Sequence, residues 1–92
     1  MLKLVTVCGA GVGSSVMEKM FAEEILADHQ IDGTVEAADI SSVAPELYDG
    51  VITTSDFAAL LHTDTPIIRL DNLLDKEAME KQILALAKGA QA

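Results

Sequence analysis

Val7-Cys8-Gly9-Ala10-Gly11-Val12-Gly13-Ser14-Ser15 follows the apolar run Leu2-Lys3-Leu4-Val5-Thr6-Val7 and precedes a helical pattern that begins near Val16. The only cysteine of the chain therefore sits where a strand ends and a helix is about to start. Gly9, Gly11 and Gly13, at alternate positions, let the backbone turn tightly and leave no Cβ in the way of a ligand. Such a turn presents N–H groups to an anion, and the positive end of the following helix dipole points to the same place. A thiol there ionises more readily than a free one. The stretch predicts a nucleophile, Cys8, held in a phosphate-shaped cradle.

The pattern on either side of this turn predicts an α/β fold. Leu2–Val7 is nearly continuous in apolar character, as in a central parallel strand covered on both faces. Ser14 or Ser15 is a natural helix N-cap, and Ser15 with Glu18 spells a capping box, so a helix is expected over about Ser15–His29. Met17, Met20, Phe21 and Ile25 form its expected inward line, and Asp32-Gly33 ends that unit. Thr34–Ala38, Val51–Thr54 and Ile67–Leu70 read as three more strands. Asp39–Asp49 is polar, contains Pro45 and reads as a connection, while Ser55 is placed to cap a brief helix over Asp56–Leu61. In the last helix Asp75 is the expected cap, Met79, Ile83, Leu86 and Ala87 the inward face, and Gly89 the stop. Strands alternating with helices imply a four-stranded parallel sheet with right-handed crossovers and flanking helices. Ligands on such sheets bind beyond the carboxyl ends of the strands. That rim is expected to gather the Cys8 turn, Thr53-Thr54-Ser55 and Asp71-Asn72.

The chain has 92 residues, enough for one domain (1–92) with a modest core. Aromatic residues are only 3%, which leaves packing to Val, Ile, Leu, Ala and Met. A formal net charge of −9 argues against nucleic acid as a partner and against unaided binding to an acidic membrane surface. One cysteine cannot form an internal disulfide, which fits a reducing compartment. No run approaches the roughly 18 apolar residues of a spanning helix, and no secretory leader pattern is present, so a cytoplasmic protein is expected.

Several chemistries compete for the Cys8 turn. A buried core cysteine beside a glycine turn is the plain alternative. Gly9-x-Gly11-x-x-Ser14 nearly matches a dinucleotide fingerprint but lacks its third glycine. A nucleotide P-loop is excluded because no Gly-Lys-Ser/Thr follows. Small cysteine phosphatases resemble the region more closely: a cysteine, five residues, then Arg and Ser or Thr, between a strand and a helix. Here Ser14 stands at the arginine position. A guanidinium there would stabilise the transferring phosphoryl group and speed its loss to water. Its absence suits a thiophosphate that persists until a partner arrives.

The Val7–Ser15 stretch also resembles the active-site loop of IIB components of the sugar phosphotransferase system, in the ascorbate- or pentitol-like branch. That branch commonly reads Cys-Gly-Asn-Gly-x-Gly-Ser-Ser before a Met-rich helix. Met17, Glu18, Lys19 and Met20 occupy that helix here, and Arg69-Leu70-Asp71-Asn72-Leu73-Leu74 is a second similar stretch. Ala10 stands in place of the usual Asn. The resemblance covers the whole chain and implies a Rossmann-like sheet with a phosphatase-like cysteine loop. It implies that Cys8 takes phosphate from a IIA phosphohistidine and passes it to a sugar or ascorbate-like substrate held by a membrane IIC permease. The cradle would be the N–H groups of Gly9, Ala10, Gly11, Val12, Gly13, Ser14 and Ser15, with the hydroxyls of Ser14 and Ser15 in support. No cofactor and no metal are implied, and the localisation would be cytoplasmic, peripheral to the inner membrane through the permease. A cysteine phosphatase-like enzyme and a small nucleotide-binding module are the alternatives.

The remaining polar residues carry weaker signals. His29 and His62 read as helix-end or surface residues, and no Cys/His spacing suggests a metal. Thr53, Thr54 and Ser55 read as a strand end and a cap. Met17 and Met20 read as core, and Arg69, the sole arginine, as a salt-bridge partner.

Overall fold

The computed structural model describes residues 2–8, 12–70 and 75–91, with side chains over 2–7, 17–70 and 75–88. Strands β1 (Leu2–Cys8), β2 (Gly33–Asp39), β3 (Gly50–Thr54) and β4 (Ile67–Leu70) form one parallel sheet in the order β2-β1-β3-β4. Helices α1 (Val12–Asp28), α2 (Ser55–Ala58) and α3 (Lys76–Gln91) connect or follow them, and a 3-10 turn at Pro45–Leu47 lies in the β2–β3 connection. The expected α/β class, strand count and parallel pairing are all found.

The alternation of side chains along a strand divides the core in two. Leu2, Leu4, Val35, Ile52, Ile68 and Leu70 face α1 and α3, where they meet Ala22, Ile25, Leu26, Met79, Ile83 and Ala87. Val5, Val7 and Val51 face the opposite side, covered by Ile40, Val43 and Tyr48 of the β2–β3 crossover and by Leu61. Each fully buried Leu, Ile or Val stabilises the fold by about 1.5–3 kcal/mol, so both layers are needed in so small a chain. Gly33 opens β2 opposite Leu2. A Cβ on Gly33 would come within 2.6 Å of the Leu2 carbonyl oxygen, which explains the absence of a side chain there.

Among the described residues, two side-chain contacts link α3 to α1 and the turn after it on one face of the sheet. Lys76 of α3 meets Glu24 of α1 at 2.8 Å, and Glu80 of α3 meets His29 at 3.3 Å. These exposed pairs add little stability but set how the two helix ends lie against each other.

Several boundaries differ from the sequence expectations. Helix α1 begins at Val12 rather than Ser15, so Ser14 and Ser15 lie inside it and the Ser15–Glu18 capping box does not form. Its inward face is Glu18, Ala22, Ile25 and Leu26; Met17 is 46% and Met20 55% exposed, and Phe21 is half-buried. The spacing of i, i+4, i+7 and i+8 holds, but it starts on a carboxylate that apolar periodicity does not count. The helix ends at Asp28, one residue short of the expected His29, and Gln30, whose φ is 55, closes the turn that follows. The N–H of Ile31 bonds the Leu26 carbonyl at 2.8 Å and that of Gln30 the Ala27 carbonyl at 3.2 Å, a Schellman arrangement.

Helix α2 is shorter than expected and is capped at Thr54, not Ser55. Helix α3 starts as expected, with Asp75 Oδ1 accepting from the Ala78 N–H at 3.1 Å. It runs through Gly89 to Gln91. A glycine stops a helix by taking a left-handed conformation, and among the described residues no glycine has a positive φ.

Candidate functional site

Cys8 is the last residue of β1 and the register partner of Asp39 at the end of β2. Helix α1 begins four positions later, at Val12, so the candidate loop joins the carboxyl end of a central strand to the N-terminus of a 17-residue helix. The first turn of α1 contains no acidic residue, which leaves the positive end of its dipole uncompensated by a local carboxylate. Gly9, Ala10 and Gly11 lie outside the described residues. Val12, Gly13, Ser14 and Ser15 are described as helical backbone only. Four of the expected cradle residues thus belong to the first turn of α1.

The sheet topology makes this rim a natural ligand site. From β1 the chain passes to β2 on one side, and β3 then lies on the other side of β1. The strand order reverses at β1, and the crevice between β1 and β3 is the switch point at which α/β sheets bind ligands. Pairing between β1 and β3 runs from Leu4↔Gly50 to Thr6↔Ile52 and stops there, whereas pairing between β1 and β2 continues to Cys8↔Asp39. The two central strands therefore part just before Cys8.

Thr53 secures that parting. Its side chain is fully buried, and its hydroxyl donates to the Val7 carbonyl at 3.0 Å. This bond satisfies a backbone acceptor that the sheet ladder no longer serves. Thr53 is thus a buried support for the strand that carries Cys8. Thr54 caps α2 through its backbone and is partly exposed, and Ser55 opens that helix. At the end of β2, Asp39 Oδ1 accepts from the N–H and the hydroxyl of Ser41 at 2.9 and 2.8 Å, which holds the Asp39 carboxyl below its usual range. Asp71 and Asn72 lie outside the described residues.

Sequence reasoning missed Glu18 as part of this region. It lies at the head of the inward face of α1, with only 1% of its surface exposed. Among the described residues neither carboxyl oxygen has a hydrogen-bond partner. Burial alone pushes its pKa up to about 7. The signal available was its spacing from Ala22, Ile25 and Leu26.

Other expected features are placed as follows. His29 follows α1 directly and meets Glu80, and His62 is exposed. Arg69 is exposed and, among the described residues, joins no ion pair; its carbonyl accepts from Gln82 Nε2 at 3.0 Å. Among the described residues no group of three or more His, Cys, Asp or Glu is arranged to hold a metal ion. No helix among them is long and apolar enough to cross a membrane.

A family model described as "PTS system, Lactose/Cellobiose specific IIB subunit" matches residues 3–85 of the chain. The match supports a IIB component and does not confirm the ascorbate- or pentitol-like branch. No curated protein sequence matches the chain.

Proposed function

We propose that this chain, which belongs to the lactose/cellobiose-specific IIB family of the sugar phosphotransferase system, carries its phosphoryl group on Cys8. Membership makes it a phosphoryl carrier of sugar uptake in general terms. The observation that supports Cys8 as the carrier atom is its position. It ends a central strand at the switch point of the sheet, four residues before the N-terminus of α1, where no acidic residue occupies the first turn.

The transfer follows from that position. The Cys8 thiolate attacks the phosphorus of a phosphohistidine on a IIA protein. An S–P bond forms as the N–P bond breaks, and the electron pair returns to the imidazole nitrogen. The backbone N–H groups from Gly9 through Ser15 hold the phosphoryl oxygens, helped by the Ser14 and Ser15 hydroxyls and by the dipole of α1. Phosphoryl transfer asks chiefly for positioning and charge compensation, which a backbone cradle supplies. In the second step a substrate hydroxyl held by a membrane IIC permease attacks phosphorus. An O–P bond forms, the S–P bond breaks, sulfur regains its electron pair, and a base on the permease side takes the hydroxyl proton.

Ser14 in place of a clamp arginine fits storage of the phosphate rather than its hydrolysis. The acceptor is a sugar or an ascorbate-like substrate: the family description names lactose and cellobiose, while the Cys-Gly core with two serines resembles the ascorbate- or pentitol-like branch. The domain, residues 1–92, works in the cytoplasm and reaches the membrane only through its permease.

The test is phosphoryl uptake. Incubation with phosphoenolpyruvate, the general phosphotransferase proteins and a phosphorylated IIA partner is expected to add one phosphoryl group per chain, on Cys8. Turnover of an aryl phosphate without accumulation of that adduct would point instead to a phosphatase.

A further inference from the structure

We propose that Glu18 is a positioning residue of the Cys8 phosphate site: an uncharged carboxyl on the buried face of α1 that keeps negative charge from forming near the N-terminal end of that helix. This inference rests on the carrier reading above. Glu18 is 1% exposed, shares the buried face of α1 with Ala22 and Ile25, and among the described residues has neither oxygen engaged by a hydrogen-bond donor. A buried carboxylate without a partner is strongly disfavoured, so the group keeps its proton where an exposed glutamate would have lost it. In keeping with this, burial raises its pKa to about 7.

Its place in the helix ties it to the site. Glu18 is six residues beyond Val12, a rise of roughly 9 Å along the axis. Side chains on a helix lean toward its N-terminus, and a long one covers the preceding turn. From that position the Glu18 side chain leans toward the N-terminal end of α1. Neutral, it offers an O–H that no other described group takes up, and it leaves the positive end of α1 intact. Ionised, it would cancel part of that dipole and repel a doubly charged phosphoryl group on Cys8.

The charged groups on the elements packed around α1 do not share its titration, which has burial as its sole cause. On β1 and β2, Lys3 and Glu36 line the opposite face of the sheet beside Tyr48, and Asp39 is held by Ser41. On α3, Lys76 pairs with Glu24, Glu80 with His29, and Lys81 with Glu77. On α1 itself, Lys19 pairs with Glu23.

The experiment measures the rate of phosphoryl uptake from phosphorylated IIA by the full chain and by Glu18→Gln, at pH 6 and pH 8, below the unfolding temperature of both. The ratio of the two rates cancels the titrations of Cys8 and of the donor histidine, which are common to both proteins. Gln keeps the shape and cannot ionise. The ratio of variant to parent is expected to rise by up to about tenfold between pH 6 and pH 8, as the parent loses its proton. Should Glu18→Gln fold poorly, Glu18→Met is expected to give the same rise. A ratio that stays constant with pH while both proteins take up phosphate overturns the role of Glu18 and leaves the carrier reading standing. A parent chain that takes up no phosphate at either pH overturns both.

Discussion

The hydroxyl of Thr53 donates to the carbonyl of Val7 at 3.0 Å, across the point where β1 and β3 cease to pair. One side chain on the neighbouring strand thus holds the backbone one residue before the candidate nucleophile. The bond is buried, so its loss leaves an acceptor without a donor. Thr53→Val is expected to lower stability by about 1–3 kcal/mol, the cost of stranding a buried backbone carbonyl. Thr53→Ser, which keeps the hydroxyl, should recover much of this. Urea unfolding of the three proteins checks it, and equal midpoints would show that the bond contributes nothing.

Glu18 gives stability a characteristic dependence on pH. Its folded pKa, about 7, lies above the ordinary glutamate value of 4.5. Between those values the folded chain holds a proton that the unfolded chain has released, so stability falls as pH rises through that window and levels off above it. The fall is on the order of 3 kcal/mol, at about 1.36 kcal/mol for each pH unit between the two values. Glu18→Gln is expected to lack this component, and the difference between the two stability curves isolates it from the other acidic groups. Parallel curves from pH 4 to pH 8 would contradict the burial of the carboxyl.

Gln30 adopts a φ of 55, a conformation that suits glycine and strains a residue with a Cβ. Its backbone closes α1 through the bonds to Leu26 and Ala27 already described. Gln30→Gly is expected to raise stability by about 0.5–1 kcal/mol, the strain relieved exceeding the added freedom of the unfolded chain. A thermal or denaturant midpoint that falls on this substitution would show that the turn does not depend on the left-handed residue.

Much of the fold was legible because parallel strands covered on both faces carry near-continuous apolar runs. Leu2–Val7 and Val51–Thr54 show this, and the sheet follows from them. Asp75 likewise marks the start of α3, because a capping carboxylate accepts from a free N–H in any context. Helix faces were less legible. The inward line of α1 begins on Glu18, and a reading keyed to apolar residues turned to Met17 and Met20, which the structure exposes. Helix stops depend on conformation rather than residue type: Gln30 turns left-handed after α1, and Gly89 stays helical. In the site, the place of Cys8 at the end of β1 was plain from the glycine turn that follows it. The support from Thr53 was not, because it depends on how far two strands pair.

The sulfur of Cys8 is the proposed bearer of the phosphate. Intact-mass analysis after incubation with phosphoenolpyruvate, the general phosphotransferase proteins and a phosphorylated IIA partner measures this directly, on the parent chain and on Cys8→Ala. The prediction is one added phosphoryl group on the parent and none on the variant. A phosphoryl group that persists on Cys8→Ala would contradict the account.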